Sequence, residues 1–165
     1  MKETKVVKFG GSSLADAKQF KKVAEIILDD PTRRFVVASA PGKRYVEDIK
    51  VTDMLYKCYE MASEGQDFDE QFQMIKDRYN NIIMDLGIED FFFRGRFWNY
   101  KGSVFHIWQA VIMQPAVVNF LTVRVLAKYL GFEFIDAAKY IFFDDMGQFD
   151  WDKTAEKLIP KLATT

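Results

Sequence analysis

The stretch that decides the fold is Val6-Val7-Lys8-Phe9-Gly10-Gly11-Ser12-Ser13-Leu14-Ala15-Asp16. It reads as a short apolar strand, Val6 to Phe9, entering a glycine-rich turn and then an amphipathic helix that begins at about Ser13. Phe20, Val23, Ala24 and Ile27 recur at helical spacing, while Lys18, Lys21, Lys22 and Glu25 take the other face. A strand that turns through glycines into a helix presents backbone N–H groups to an anion, and Lys8 adds a point charge on the strand before the turn. Taken alone, such glycines more often serve a tight structural turn, and the spacing is neither a P-loop nor a dinucleotide fingerprint.

Downstream, Arg34 to Ala40 reads as a second strand, whose continuous apolar centre suits an interior place in a mostly parallel sheet, closed by Pro41-Gly42. Thr52-Asp53 can cap a helix carrying Leu55, Tyr59 and Ala62 inward and ending at Gly65. Asp67, with Glu70 three residues on, has the form of a capping box for a longer helix. Its stripe of Phe68, Phe72, Ile75, Tyr79, Ile82 and Leu86 is a core face. A further helix resumes after Pro115 and runs through Leu121, Val125 and Leu126 to Gly131. Glu133 to Asp136 and Tyr140 to Phe143 look like two short strands, and Asp152 opens a last helix carrying Ala155, Leu158 and Leu162. The expected fold class is α/β, an open and mostly parallel sheet flanked by helices, in one domain over 1–165 with a helical insertion at about 50–130.

Composition narrows the function. Twenty-three basic residues against 24 acidic ones leave no electrostatic footprint for nucleic acid. One cysteine, Cys58, and one histidine, His106, cannot build a disulfide framework or a zinc cluster, so no metal site is expected and a reducing cytoplasm fits. Cys58, among Leu55, Tyr59 and Ala62, reads as a buried inert thiol. His106 reads as a core or solvent-edge residue, with a pH-sensitive contact as the sharper alternative. The charged N-terminus lacks the apolar core of a secretory signal. The run from Val104 to Val118 is interrupted by His106, Gln109, Gln114 and Pro115 and falls short of a membrane span.

The compositional anomaly lies between Glu89 and Val123. Phe91, Phe92, Phe93, Phe97, Trp98, Tyr100, Phe105 and Trp108 crowd together, Ile112 and Met113 follow, and Lys101 is the only formally charged side chain between Phe97 and Val123. Aromatic residues and Met are what protein interfaces enrich.

KFGGSSLADAKQFKKV, VVASAPGKR, KVTDMLYKCYE and LGFEFIDAAKYIFFDDMGQFD, in that order, resemble the N-terminal part of the aspartokinases in the amino-acid kinase family. The resemblance implies transfer of the ATP γ-phosphoryl group to the aspartate β-carboxylate. It assigns Lys8 to the migrating phosphoryl group, Gly10, Gly11 and Ser12 to the phosphate cradle and Thr52 to the aspartate. Ser39 lies beside that site in the family, or is a structural serine at a strand end.

The family also carries a signature close to S-R-G-E-Y-L-N before the helix that leads into the LGFEFIDA strand, and its Glu helps to hold the aspartate. Here Ala116, Val117, Val118, Asn119, Phe120, Leu121 and Thr122 stand in its place. Asn119 offers an amide where the family has a carboxylate, and an amide brings no charge to an ammonium. The family's later glycine-rich and Ser/Arg segments have no counterpart in these residues.

Three readings follow. The first is an engineered, catalytically inactive aspartokinase-derived domain, with no cofactor, whose aromatic surface at about 91–120 binds a protein partner or self-associates. The second is an aspartate kinase using ATP and Mg, completed by a missing C-terminal half. The third is a core-repacked domain that stands alone. In none of them is nucleic acid or membrane a partner.

Overall fold

A computed structural model describes residues 4–89 and 115–164. The aromatic candidates Phe91, Phe92, Phe93, Phe97, Trp98, Tyr100, Phe105, Trp108, Ile112 and Met113, together with His106, lie outside the described residues.

The chain is α/β. Strand β1 (Lys5–Phe9) pairs in parallel with β2 (Arg33–Ala38), Lys8 opposite Val37 and Phe9 opposite Ala38. Between them run a short 3-10 turn (Gly11–Leu14) and helix α1 (Ala17–Asp29), which together make the long connection that a parallel pair requires. The helix starts four residues later than the sequence suggested. Asp16 is the reason: its carboxylate accepts from the Gln19 N–H at 2.9 Å and caps α1 there.

Helices α2 (Val51–Ser63) and α3 (Asp69–Asp85) follow and pack on each other. After them come α4 (Pro115–Leu130) and α5 (Trp151–Ala163). The expected capping box of α3 does not form. Asp67 instead accepts from the Asp69 N–H at 2.9 Å, and Phe68 takes the cap position without a side-chain bond.

The core is the predicted one for α1 to α4, whereas Ala155, Leu158 and Leu162 of α5 are only half-buried and Thr154 is the buried residue of that helix. Leu14, Phe20, Val23 and Ile27 meet Val51, Leu55 and Cys58, then Phe72, Ile75, Tyr79, Ile82 and Leu86, and finally Val118, Leu121, Val125 and Leu126. Tyr59 and Phe68 are only half-buried. A deep Tyr at the centre needs a partner for its hydroxyl. The Tyr79 hydroxyl donates to the Val118 carbonyl at 2.7 Å and lies 2.9 Å from Thr122 Oγ1, tying α3 to α4.

Three expectations about strands are corrected. Among the described residues β2 has one strand neighbour rather than two, so Val37 is 49% exposed and the strand is an edge. Glu133 to Asp136 forms no strand: Phe134 is held edge-on against Phe120 of α4, and Lys161 of α5 pairs with Glu133, so the segment is fixed by side chains without joining a ladder. Tyr140 to Phe143 contributes only an isolated antiparallel bridge from Phe143 to Phe149. There the Thr154 hydroxyl accepts from the Phe142 N–H at 2.9 Å and docks α5 instead. The last helix is capped by Asp150, whose carboxylate accepts from the Lys153 N–H at 2.9 Å, rather than by Asp152. Among the described residues no helix is long and apolar enough to cross a membrane.

Candidate functional site

Both strands of the sheet end at the same side, and there the chain makes two tight turns. Ligands of open α/β sheets bind outside the carboxyl ends of the strands, because that is where loops diverge and backbone donors are left over. Here the two turns are Gly10-Gly11-Ser12, after β1, and Ser39-Ala40-Pro41-Gly42, after β2.

The turns are locked together by backbone. The Gly42 N–H donates to the Gly11 carbonyl at 2.8 Å, and the Ser39 N–H donates to the Phe9 carbonyl at 3.0 Å. A Cβ on Gly11 would lie 2.8 Å from the Ala40 carbonyl oxygen, and one on Gly42 would lie 2.6 Å from the Gly11 carbonyl carbon. Those two glycines are required by contact between main chains. Gly10 differs, since a Cβ there would meet nothing within 4 Å and its backbone is extended. No side chain caps the turn that follows it, so the face beside Gly10 is open to an incoming group.

Two helices bring their N-termini to this place. The Val51 N–H donates to the Pro41 carbonyl at 3.1 Å, which sets the first turn of α2, with half-buried Thr52, against the β2 turn. From the start of α4, Asn119 Oδ1 accepts from the Ala40 N–H at 2.6 Å. The structure therefore gathers Gly10, Gly11, Ser12, half-buried Ser39, Thr52 and Asn119 at one end of the sheet, although they are spread over more than a hundred residues. Lys8 stands one residue before the end of β1, exposed, and joins no ion pair among the described residues.

A group that sequence reading passed over supports this assembly from behind. Asp48 and Arg78 are both buried, and Arg78 Nη2 donates to Asp48 Oδ1 and Oδ2 at 2.9 Å each. Arg44 adds three further bonds to the same carboxylate, two from its guanidinium at 2.8 and 2.9 Å and one from its backbone N–H at 2.9 Å, and Arg78 Nη1 donates to the Gly42 carbonyl at 3.1 Å. Hydrogen bonds from Arg44, reinforced by the charge of Arg78, hold the Asp48 carboxyl well below the usual carboxylate range. Burial lowers the Arg78 guanidinium somewhat from its ordinary value. One signal was available in the sequence: Arg78 lies three residues after Ile75 and four before Ile82, a charge on the apolar stripe of α3 that demands a buried partner.

No family model matches the chain. Over 82 residues, half of this chain and 18% of the relative, it is 49% identical to aspartokinase 3 of Bacillus subtilis. It is 34% identical over 87 residues to the chloroplastic aspartokinase 2 of Arabidopsis thaliana, covering 15% of that protein. Among solved structures, the aspartate kinase of Clostridium acetobutylicum superposes with a TM-score of 0.77 at 38% identity, over 98% of this chain and 37% of that one. Aspartokinase III of Escherichia coli, in complex with aspartate and ADP, shares the fold with a TM-score of 0.65 at 20% identity, over 98% of this chain and 39% of that one. The chain thus spans less than a fifth of the length of the curated relatives described and under two-fifths of the solved chains.

Proposed function

Because half of the chain is 49% identical to an aspartokinase, we propose that it forms the phosphoryl-binding and aspartate-facing part of an aspartate kinase site, with its catalytic power reduced by the neutral side chain of Asn119. The observation that carries this reading is the convergence at the carboxyl ends of β1 and β2, where the open Gly10 backbone, Ser12, Thr52 and Asn119 meet beyond Lys8.

The chemistry asked of these residues is electrostatic. In phosphoryl transfer the protein positions the reactants and stabilises charge on the transferred oxygens. Lys8 would neutralise that charge as it passes to the acceptor carboxylate, and the Gly10, Gly11 and Ser12 amides would hold the phosphoryl oxygens. ATP and Mg would supply the phosphoryl group and further charge neutralisation when bound. Thr52 and Ser39 would offer hydroxyls to the aspartate. Asn119 can hydrogen-bond, but it gives no carboxylate to the substrate ammonium, so aspartate binding and turnover are both weak.

Amide NMR on the isotopically labelled chain tests the binding part. Titration with inorganic phosphate is expected to move the Gly10, Gly11 and Ser12 resonances, and Lys8→Ala to weaken the effect about tenfold, the loss of one charge-assisted contact of about 1.5 kcal/mol. Shifts that avoid this turn altogether would sink the reading. Turnover is read separately, by trapping the acyl phosphate with hydroxylamine in the presence of ATP, Mg and L-aspartate. Any rate that survives Lys8→Ala unchanged would remove Lys8 from the mechanism.

A further inference from the structure

We propose that a stretch ending between Thr122 and Val125, and including the start of α4, is read one nucleotide out of register with the coding frame on either side of it, and that position 119 is the carboxylate position of the site. The second half rests on the aspartate kinase reading given above. Three observations lead here. The fold matches an aspartate kinase across almost the whole chain, whereas recognisable identity to the curated relatives spans only half of it. The resemblance returns at once in Leu126-Ala127 and in the LGFEFIDA run, with no change in helix register through α4. And the residues in between have lost the polar and charged character of a site while keeping their place beside it, since position 119 still reaches the Ala40 N–H.

The identities of Ala116 to Thr122 fix the first two bases of most of their codons and leave the third largely free. Now start each codon on the third base of the one before. The third base of Pro115 with the GC of Ala116 gives AGC, serine. That of Ala116 with the GT of Val117 gives CGT, arginine. Val117 and Val118 give GGT, glycine, and Val118 with the AA of Asn119 gives GAA, glutamate. Asn119 with the TT of Phe120 gives TTT, phenylalanine. Phe120 with a Leu121 codon beginning TT gives CTT, leucine, and Leu121 with the AC of Thr122 gives AAC, asparagine.

The displaced frame therefore admits Ser-Arg-Gly-Glu-Phe-Leu-Asn where the family signature is close to S-R-G-E-Y-L-N. Only the aromatic position differs, Phe for Tyr. Each displaced codon allows no more than a handful of amino acids, so agreement along the whole run is not expected of unrelated sequence. A shifted frame also accounts for the composition upstream, because residues chosen by the wrong frame are under no pressure to be polar at a surface. No partner is needed to explain Val117 and Val118, which stand where the signature has Arg and Gly.

The site consequence is local. Asn119→Glu would place a carboxylate where Oδ1 now accepts from the Ala40 N–H, beside Ser39 and the Gly11 and Gly42 turns. A charged acceptor at that place can hold both the backbone and a substrate ammonium.

The nucleotide sequence coding for residues 115–122 is the first test. It is expected to read CCA, GCC, GTG, GTG, AAT, TTC and TTA from Pro115 to Leu121. A codon for Ala116 ending in anything but C, or for Val117 or Val118 in anything but G, overturns the displaced frame. The second test is NMR titration with L-aspartate of Asn119→Glu, of the triple variant Val117→Arg/Val118→Gly/Asn119→Glu, and of Asn119→Gln as a neutral control. The two variants with the carboxylate are expected to bind at least about tenfold more tightly than the parent, and the control to bind like it. Equal affinity of a folded Asn119→Glu variant and the parent overturns the role of position 119. Phosphate-induced shifts at Gly10 to Ser12 report on the phosphoryl reading alone, so the two ideas fail separately.

Discussion

The Gly42 N–H donates to the Gly11 carbonyl at 2.8 Å, and neither residue has space for a Cβ. Two turns that follow two different strands are thereby pressed main chain to main chain, which is the contact on which the site is built. The Ala40 N–H that meets Asn119 and the Pro41 carbonyl that meets the Val51 N–H both belong to the second of these turns.

Substitution there is expected to be costly in a way that its neighbour is not. Gly11→Ala and Gly42→Ala each drive a methyl group into backbone atoms less than 3.0 Å away, which cannot move without separating the turns. Overpacking of this kind costs about 1–3 kcal/mol. Gly10→Ala, whose Cβ meets open space, should leave stability nearly unchanged but reduce phosphate binding. Thermal unfolding followed by circular dichroism, with phosphate titration of each variant, checks both halves.

The buried pair behind the turn sets an acid limit. Arg78→Met leaves the Asp48 carboxylate without its most buried partner and the Gly42 carbonyl without a donor, and is expected to cost about 3–5 kcal/mol by urea denaturation. The sign of the pH effect follows from the lowered Asp48 carboxyl. A depressed carboxyl contributes stability that is complete above the unfolded value of about 4 and declines as the pH falls below it. Asp48→Asn should remove that acid-dependent decline while lowering stability at neutral pH.

Cys58 is buried in the core, and burial pushes its thiol up to about 11. The thiolate is the reactive form, so a thiol reagent at pH 8 should label it only as fast as the protein unfolds. Labelling in the native state at the rate of a free thiol would show that α2 does not shield it.

The aromatic run is expected to promote association. Phe91 to Trp108 concentrates large apolar side chains with few charges, a composition that protein interfaces enrich. Light scattering should reveal self-association that falls when Trp98→Ser and Trp108→Ser are combined. A monomer before and after that change would leave the run with no role in binding.

Sequence alone was enough for the helices, for both parallel strands and for the glycine turn. Their signals are local: helical spacing in Phe72, Ile75, Tyr79 and Ile82, β-branched residues in Val36 and Val37, and paired glycines after Phe9. It also carried the likeness to aspartokinases, because the motifs stand in order. It overstated the sheet. Glu133 to Asp136 has a strand-like composition, but a strand exists only through its neighbour, and Phe134 and Glu133 are engaged by α4 and α5 instead.

Only the tertiary structure decided that Asn119 meets Ala40 across 79 positions, and that Arg78 crosses 36 positions to reach Gly42. Such contacts depend on where whole elements dock, which no window of sequence contains. Local periodicity selects helices and strands, and long-range packing then selects which of their polar groups share a site.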